Sequence, residues 1–220
     1  MIVGAFNVSE YVDVNQTTLT MNSVSNSTWL FNLTQFGFGF TNTSNGIENA
    51  TEYYTNFTNA TYNQALMTLS HPGIGLAQSQ YLTFRNQINA ISGNIWTCPN
   101  SRGQFCYAPV WCESFNGSPY ASYNYTDLSF KIIFNNDTTD YIKIPLMSLM
   151  RNSETSTTPR CNILVLEMIP NQQQQYYITL GTAFFQSFFT QFYYDKQNSN
   201  NTMVLALSKS ALNTTYLGNK

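Results

Sequence analysis

The sequence predicts an all-β fold with one or two short helices, and three observations carry that expectation. First, Leu128, Phe130, Ile132 and Phe134 alternate along the chain with Ser129, Lys131 and Ile133, as a half-buried strand requires. Asn135, Asn136 and Asp137 then supply turn chemistry, and residues 141–146 read as the returning strand. Second, residues 188–194 and 202–207 are apolar and flank a polar turn at 196–201, the signature of a second hairpin. Third, helical periodicity is scarce. Tyr81, Phe84, Ile88 and Ile91 fall at i, i+3, i+7 and i+10, one face of about three turns; a shorter helix fits residues 182–187.

The other segments follow the same reading. Residues 29–40 are aromatic-rich and extended, with Gly37 and Gly39 permitting a bend or bulge. Residues 42–61 are polar and read as a surface excursion. Gln172 to Gln175 form a short low-complexity tract, expected as a loop before a strand. Neither an internal repeat nor a linker divides the chain, so residues 1–220 are expected to form one domain.

Composition narrows the function. The chain is 43% hydrophobic and 15% aromatic, enough for a sizeable core, but only 9% charged, with net charge −2. Without a basic patch, nucleic-acid binding has no electrostatic footing. No apolar run reaches the ~18 residues of a membrane span, and residues 1–8 lack a signal-peptide pattern. Asn, Ser and Thr carry solubility instead, and glycosylation sequons recur, among them those at Asn15, Asn26, Asn32, Asn56, Asn124 and Asn213. A generic Asn/Thr-rich composition is the bland alternative to a glycosylated chain. Four cysteines, Cys98, Cys106, Cys112 and Cys161, form an even set that suits disulfides. A zinc site is disfavoured, since no Cys-x-x-Cys pair occurs and His71, the single histidine, lies far away in sequence. No cofactor is expected.

Four segments, in order and spacing, resemble a known family. Near the C-terminus stand Leu180-Gly181, Phe184-Phe185, Phe188-Phe189 and Leu205-Ala206. Near the start stand Gly4 to Asn7 with Tyr11, then Trp29-Leu30-Phe31. In the middle come Cys112, the strand at 130–134, Ile142 to Pro145, and Cys161. Together these resemble the C-terminal lobe of pepsin-like aspartic peptidases over nearly the whole chain. Departures are Thr182 and Tyr193 where the family has aspartates, and Val204 where it has its last glycine. The resemblance implies a single lobe of the acid-protease β-barrel type. It also implies a psi-shaped loop joining Thr68 to Leu180-Gly181, disulfides Cys112–Cys161 and Cys98–Cys106, and a secretory, lysosomal, vacuolar or extracellular location.

The family's aspartyl loop, hydrophobic-hydrophobic-Asp-Thr/Ser-Gly, corresponds to Leu66 and Met67 followed by Thr68, Leu69 and Ser70. In such enzymes two carboxylates, one per lobe, share a proton: one deprotonates water while the other polarises the scissile carbonyl. A threonine hydroxyl cannot take the proton, so no catalytic residue is expected here. Asp137-Thr138-Thr139 lies in a turn and lacks the glycine. Ser70 and His71 are adjacent, a poor arrangement for nucleophile and base. Glu113, Glu154 and Glu167 read as solvated surface, and Phe184, Phe185, Phe188, Phe189 and Phe192 as core. The resemblance thus implies a catalytically inactive peptidase homologue, a binding module for a peptide, a carbohydrate, a complete peptidase lobe or a second copy of itself. The alternative is half of an active endopeptidase whose N-terminal lobe lies outside this chain.

Overall fold

The computed structural model describes residues 11–12, 18–25, 27–44, 47–56, 64–91, 95–99, 102–116, 129–134, 140–154, 157–168, 178–195, 200–207 and 216–219. The expectations for Gly4 to Asn7, Asn15, Asn26, residues 57–61, Asn124, residues 135–139, the glutamine tract and Asn213 lie outside these residues.

The described chain is mostly β-sheet. Its strands are β1 (Thr18–Asn22), β2 (Leu30–Ser44), β3 (Ile47–Asn56), β4 (Gln64–Met67), β5 (Ile74–Leu76), β6 (Cys106–Ala108), β7 (Ser129–Phe134) and β8 (Asp140–Pro145). They continue with β9 (Met150–Asn152), β10 (Cys161–Ile163), β11 (Val165–Glu167), β12 (Ile178–Leu180), β13 (Phe188–Asp195), β14 (Asn200–Leu207) and β15 (Tyr216–Asn219). The helices are α1 (Gln78–Ile91) and α2 (Thr182–Ser187).

Nine strands form one sheet in the order β11-β5-β12-β4-β2-β7-β8-β15, with β3 also paired to β2. The sheet is open. The closed barrel implied by the resemblance does not form among the described residues, because the end strands β11 and β15 do not pair with each other. Two three-stranded sheets complete the fold, β1-β14-β13 and β6-β10-β9.

The sequence patterns explain these elements. Along β8, Ile142 and Ile144 are fully buried, and β7 pairs with that strand so that Phe130 lies opposite Ile144 and Ile132 opposite Ile142. The second hairpin is β13–β14, with Phe188 opposite Leu207 and Asp195 opposite Asn200. Helix α1 buries Tyr81, Phe84 and Ile88, the stripe its periodicity predicts, and packs against β11. Phe31, Phe36, Phe84, Phe184 and Phe188 are the largest fully enclosed side chains. Each such ring contributes roughly 1.5–3 kcal/mol through removal from water.

Within the polar segment at 42–61, β2 runs on to Ser44, and β3 returns beside it through ten register pairs from Gln35↔Asn56 to Ser44↔Ile47. The irregularity of β2 falls between Leu33 and Gln35, not at Gly37 or Gly39. It marks the place where β2 stops pairing with β4, after Asn32↔Gln64, and starts pairing with β3 at Gln35↔Asn56.

Candidate functional site

The loop between β4 and β5, residues 68–73, is held by the end of β12. Strand β12 lies between these two sequential strands, parallel to β4 (Leu180↔Met67) and antiparallel to β5 (Leu180↔Ile74). At its end the Thr68 amide donates to the Leu180 carbonyl at 3.0 Å, and the Gly181 amide to the Gly73 carbonyl at 2.9 Å. The Thr182 amide donates to the His71 carbonyl at 2.8 Å, and the Ala183 amide to the Pro72 carbonyl at 3.1 Å. The first amides of α2 are thereby satisfied by the loop, orphan donors that a helix start must otherwise expose.

Glycine is required twice at this crossing for space. A Cβ on Gly181 would lie 2.1 Å from the His71 carbonyl oxygen, and one on Gly73 would lie 1.9 Å from that of Leu164. Leu180-Gly181 and the Thr68 loop, far apart in sequence, are thus brought into direct backbone contact.

The chemistry at the loop is hydroxylic. The hydroxyl oxygens of Thr68 and Ser70 are 2.8 Å apart, and the Ser70 amide donates to Thr68 Oγ1 at 3.2 Å. Leu69, between them, is 56% exposed, so the loop presents an apolar side chain to solvent. The Ser70 hydroxyl pairs with that of Thr68, and among the described residues no hydrogen bond joins Ser70 to His71. His71 Nδ1 is enclosed and has no hydrogen-bond partner among the described residues.

Among the described residues, Glu167 and Glu113 are engaged away from this loop. Glu167, on β11, is nearly buried, contrary to its expectation as surface, and accepts from Arg102 Nε at 3.0 Å. The Asn152 side-chain amide donates to both Glu113 oxygens, at 2.9 and 3.1 Å, and this holds the Glu113 carboxyl below its usual range, with its own backbone amide adding to the effect. Glu154 is exposed in the turn after β9. Burial raises the Tyr81 phenol, the nearby Arg85 opposing and Glu167 reinforcing the shift. Among the described residues no group of three or more His, Cys, Asp and Glu could hold a metal ion.

Both disulfides form, Cys98–Cys106 and Cys112–Cys161. They anchor the β6-β10-β9 sheet, where Cys161 lies opposite Ala108 on one side and Asn152 on the other. Asn152 Oδ1 also accepts from the Cys112 amide at 2.8 Å. The aromatic cluster is divided: Phe184 and Phe188 are enclosed, with ring centroids 4.9 Å apart, whereas Phe192 is 41% exposed and leans on Trp29 at 4.5 Å. Of the sequon asparagines, Asn32 lies within β2, accepts from Gln64 Nε2 at 3.5 Å and is half-buried. Asn56 closes β3.

Sequence reasoning did not anticipate Thr182 as a brace. Its hydroxyl donates toward the His71 and Pro72 carbonyls, at 3.2 and 3.0 Å. A hydroxyl residue just after Gly181, opening a helix, was the available signal. Among the described residues no helix is long and apolar enough to cross a membrane. No protein-family model matches the chain, and no curated protein matches it.

Proposed function

We propose that this chain is a C-terminal lobe of the pepsin-like aspartic peptidase type that has lost its catalytic aspartate and acts as a binding module in the secretory pathway. The observation that carries this reading is β12 seated between β4 and β5, so that Leu180-Gly181 clasps the loop beginning at Thr68. The loop's acceptor is a hydroxyl with a hydroxyl neighbour, which can neither deprotonate water nor share a proton as a carboxylate pair does. The two disulfides suit an oxidising compartment.

The binding partner in this reading is another lobe, either a complete peptidase lobe or a second copy of the chain. Among the described residues β13 pairs only with β14, and the far end of β13 carries exposed Phe192, Tyr193 and Tyr194. An open strand edge beside exposed aromatic rings favours association. Sedimentation velocity over a range of concentrations, with and without an intact pepsin-like peptidase, tests this. Concentration-dependent or mixed species are expected. A sharp, concentration-independent monomer that binds neither the peptidase nor a hydrophobic dye overturns the reading.

A further inference from the structure

We propose that the free edge of β3 is guarded by N-linked glycans at Asn49 and Asn56. This rests on the secretory location of the preceding reading, but on none of its peptidase content. Strand β3 is ten residues long, and among the described residues it pairs only with β2. A long unpaired edge is a template for a strand of another molecule. The usual guards are sparse here: the strand reads Ile-Glu-Asn-Ala-Thr-Glu-Tyr-Tyr-Thr-Asn, with no proline and no lysine.

Two sequons open on this strand, Asn49-Ala50-Thr51 and Asn56-Phe57-Thr58. Their asparagines are an odd number of residues apart, so in a regular strand they belong to opposite faces of the sheet. Sugars at both would flank the edge from either side. Asn49 also lies directly opposite Asn42, which opens a third sequon on β2. Among the described residues β2 beyond Gly39 pairs only with β3, so Asn42 stands on the opposite edge of the same two-stranded ribbon. Asn32 provides the contrast. Its neighbours in register are Gln64 on β4 and, through the 2% exposed Leu33, Phe134 on β7. Asn32 is half-buried, and its side chain already accepts from Gln64 Nε2.

The modification transfers an oligosaccharide from a polyprenyl-diphosphate carrier. The asparagine amide nitrogen bonds to the sugar's C1, the C1–O bond to diphosphate breaks, the carrier diphosphate leaves, and the amide proton passes to a base of the transferase. Because transfer can precede folding, the finished fold only has to leave room for the product.

The test directs the full chain into the endoplasmic reticulum of a eukaryotic cell with a cleavable leader and maps each asparagine by mass spectrometry. Asn49 and Asn56 are expected to carry sugar and Asn32 to be bare. Thr51→Ala with Thr58→Ala removes both sequons while keeping the asparagines, and is expected to raise the self-associated fraction at least about threefold; Thr17→Ala, which removes the Asn15 sequon, is expected to leave it unchanged. Enzymatic trimming of the folded wild-type glycoprotein must give the same rise, which separates the guard from any folding defect of the variant. Bare Asn49 and Asn56 in a chain glycosylated elsewhere, or trimming without added association, overturns the proposal. A chain with both disulfides formed and no sugar overturns the glycan guard alone, whereas a chain recovered with free thiols overturns the compartment reading and the guard together.

Discussion

The Thr68 and Ser70 hydroxyls lie 2.8 Å apart, and the Ser70 amide points its hydrogen at Thr68 Oγ1. The backbone thus places an acceptor oxygen at residue 68 and two donors around it, a setting that would serve a carboxylate equally well.

That setting predicts an engineered outcome. Thr68→Asp is expected to fold, with its carboxylate accepting from the Ser70 amide and hydroxyl, yet to hydrolyse no peptide. General acid–base assistance is worth about 10²–10⁴ in rate and needs both members of the pair, whereas no Asp-Thr-Gly or Asp-Ser-Gly occurs in this sequence. The wild type is likewise expected to be silent. Cleavage of denatured globin from pH 2 to 7, with and without a tight aspartic-peptidase inhibitor, measures both; inhibitor-sensitive cleavage by the wild type would show that another carboxylate does the chemistry.

Gly181→Ala and Gly73→Ala are expected to be severely destabilising, by about 3 kcal/mol or more, since each new methyl meets a backbone carbonyl rather than a movable side chain. Gly103 is the control. Its φ is 73° and nothing lies within 4 Å of an added Cβ, so Gly103→Ala costs only the left-handed backbone penalty, about 1–2 kcal/mol. Urea denaturation of the three variants ranks them, and equal losses would contradict the close-approach account.

The disulfides should differ in weight. Cys112–Cys161 spans 49 residues and Cys98–Cys106 spans eight. Loop-closure entropy then assigns about 4 kcal/mol to the first and about 2.5 kcal/mol to the second. Paired Cys→Ala variants, compared by chemical denaturation, are expected to lose stability in that order.

The hydrogen bonds from Asn152 to Glu113 give an acid-side dependence with a definite sign. The folded carboxyl titrates lower than usual, first because of the Asn152 amide. A depressed carboxyl contributes stability that is complete above its unfolded value and is lost as pH falls through the folded value. Asn152→Ala is expected to move the Glu113 titration, followed by carboxyl-carbon NMR, upward toward the ordinary range and to flatten that part of the acid limb. An unmoved titration would assign the shift to the Glu113 backbone amide instead.

Local pattern was enough for much of the fold. The strand within 128–134, the apolar runs of 188–194 and 202–207 and the i, i+3, i+7 stripe of α1 are each read from neighbouring residues, so a short window of sequence carries them. The parity of the cysteines carried the expectation of disulfides, but their pairing entered through the family resemblance. What only tertiary structure decided is long-range. The insertion of β12 between β4 and β5 joins residues 178–180 to residues 65–67 and 74–76, and no local periodicity encodes which strands become neighbours. The handover of β2 from β4 to β3 placed the bulge at Thr34 rather than at the glycines, because a strand bends where its partner changes. Thr182 looked like a lost aspartate in one dimension; in three it is a brace, since only the fold brings its hydroxyl to the carbonyls of His71 and Pro72.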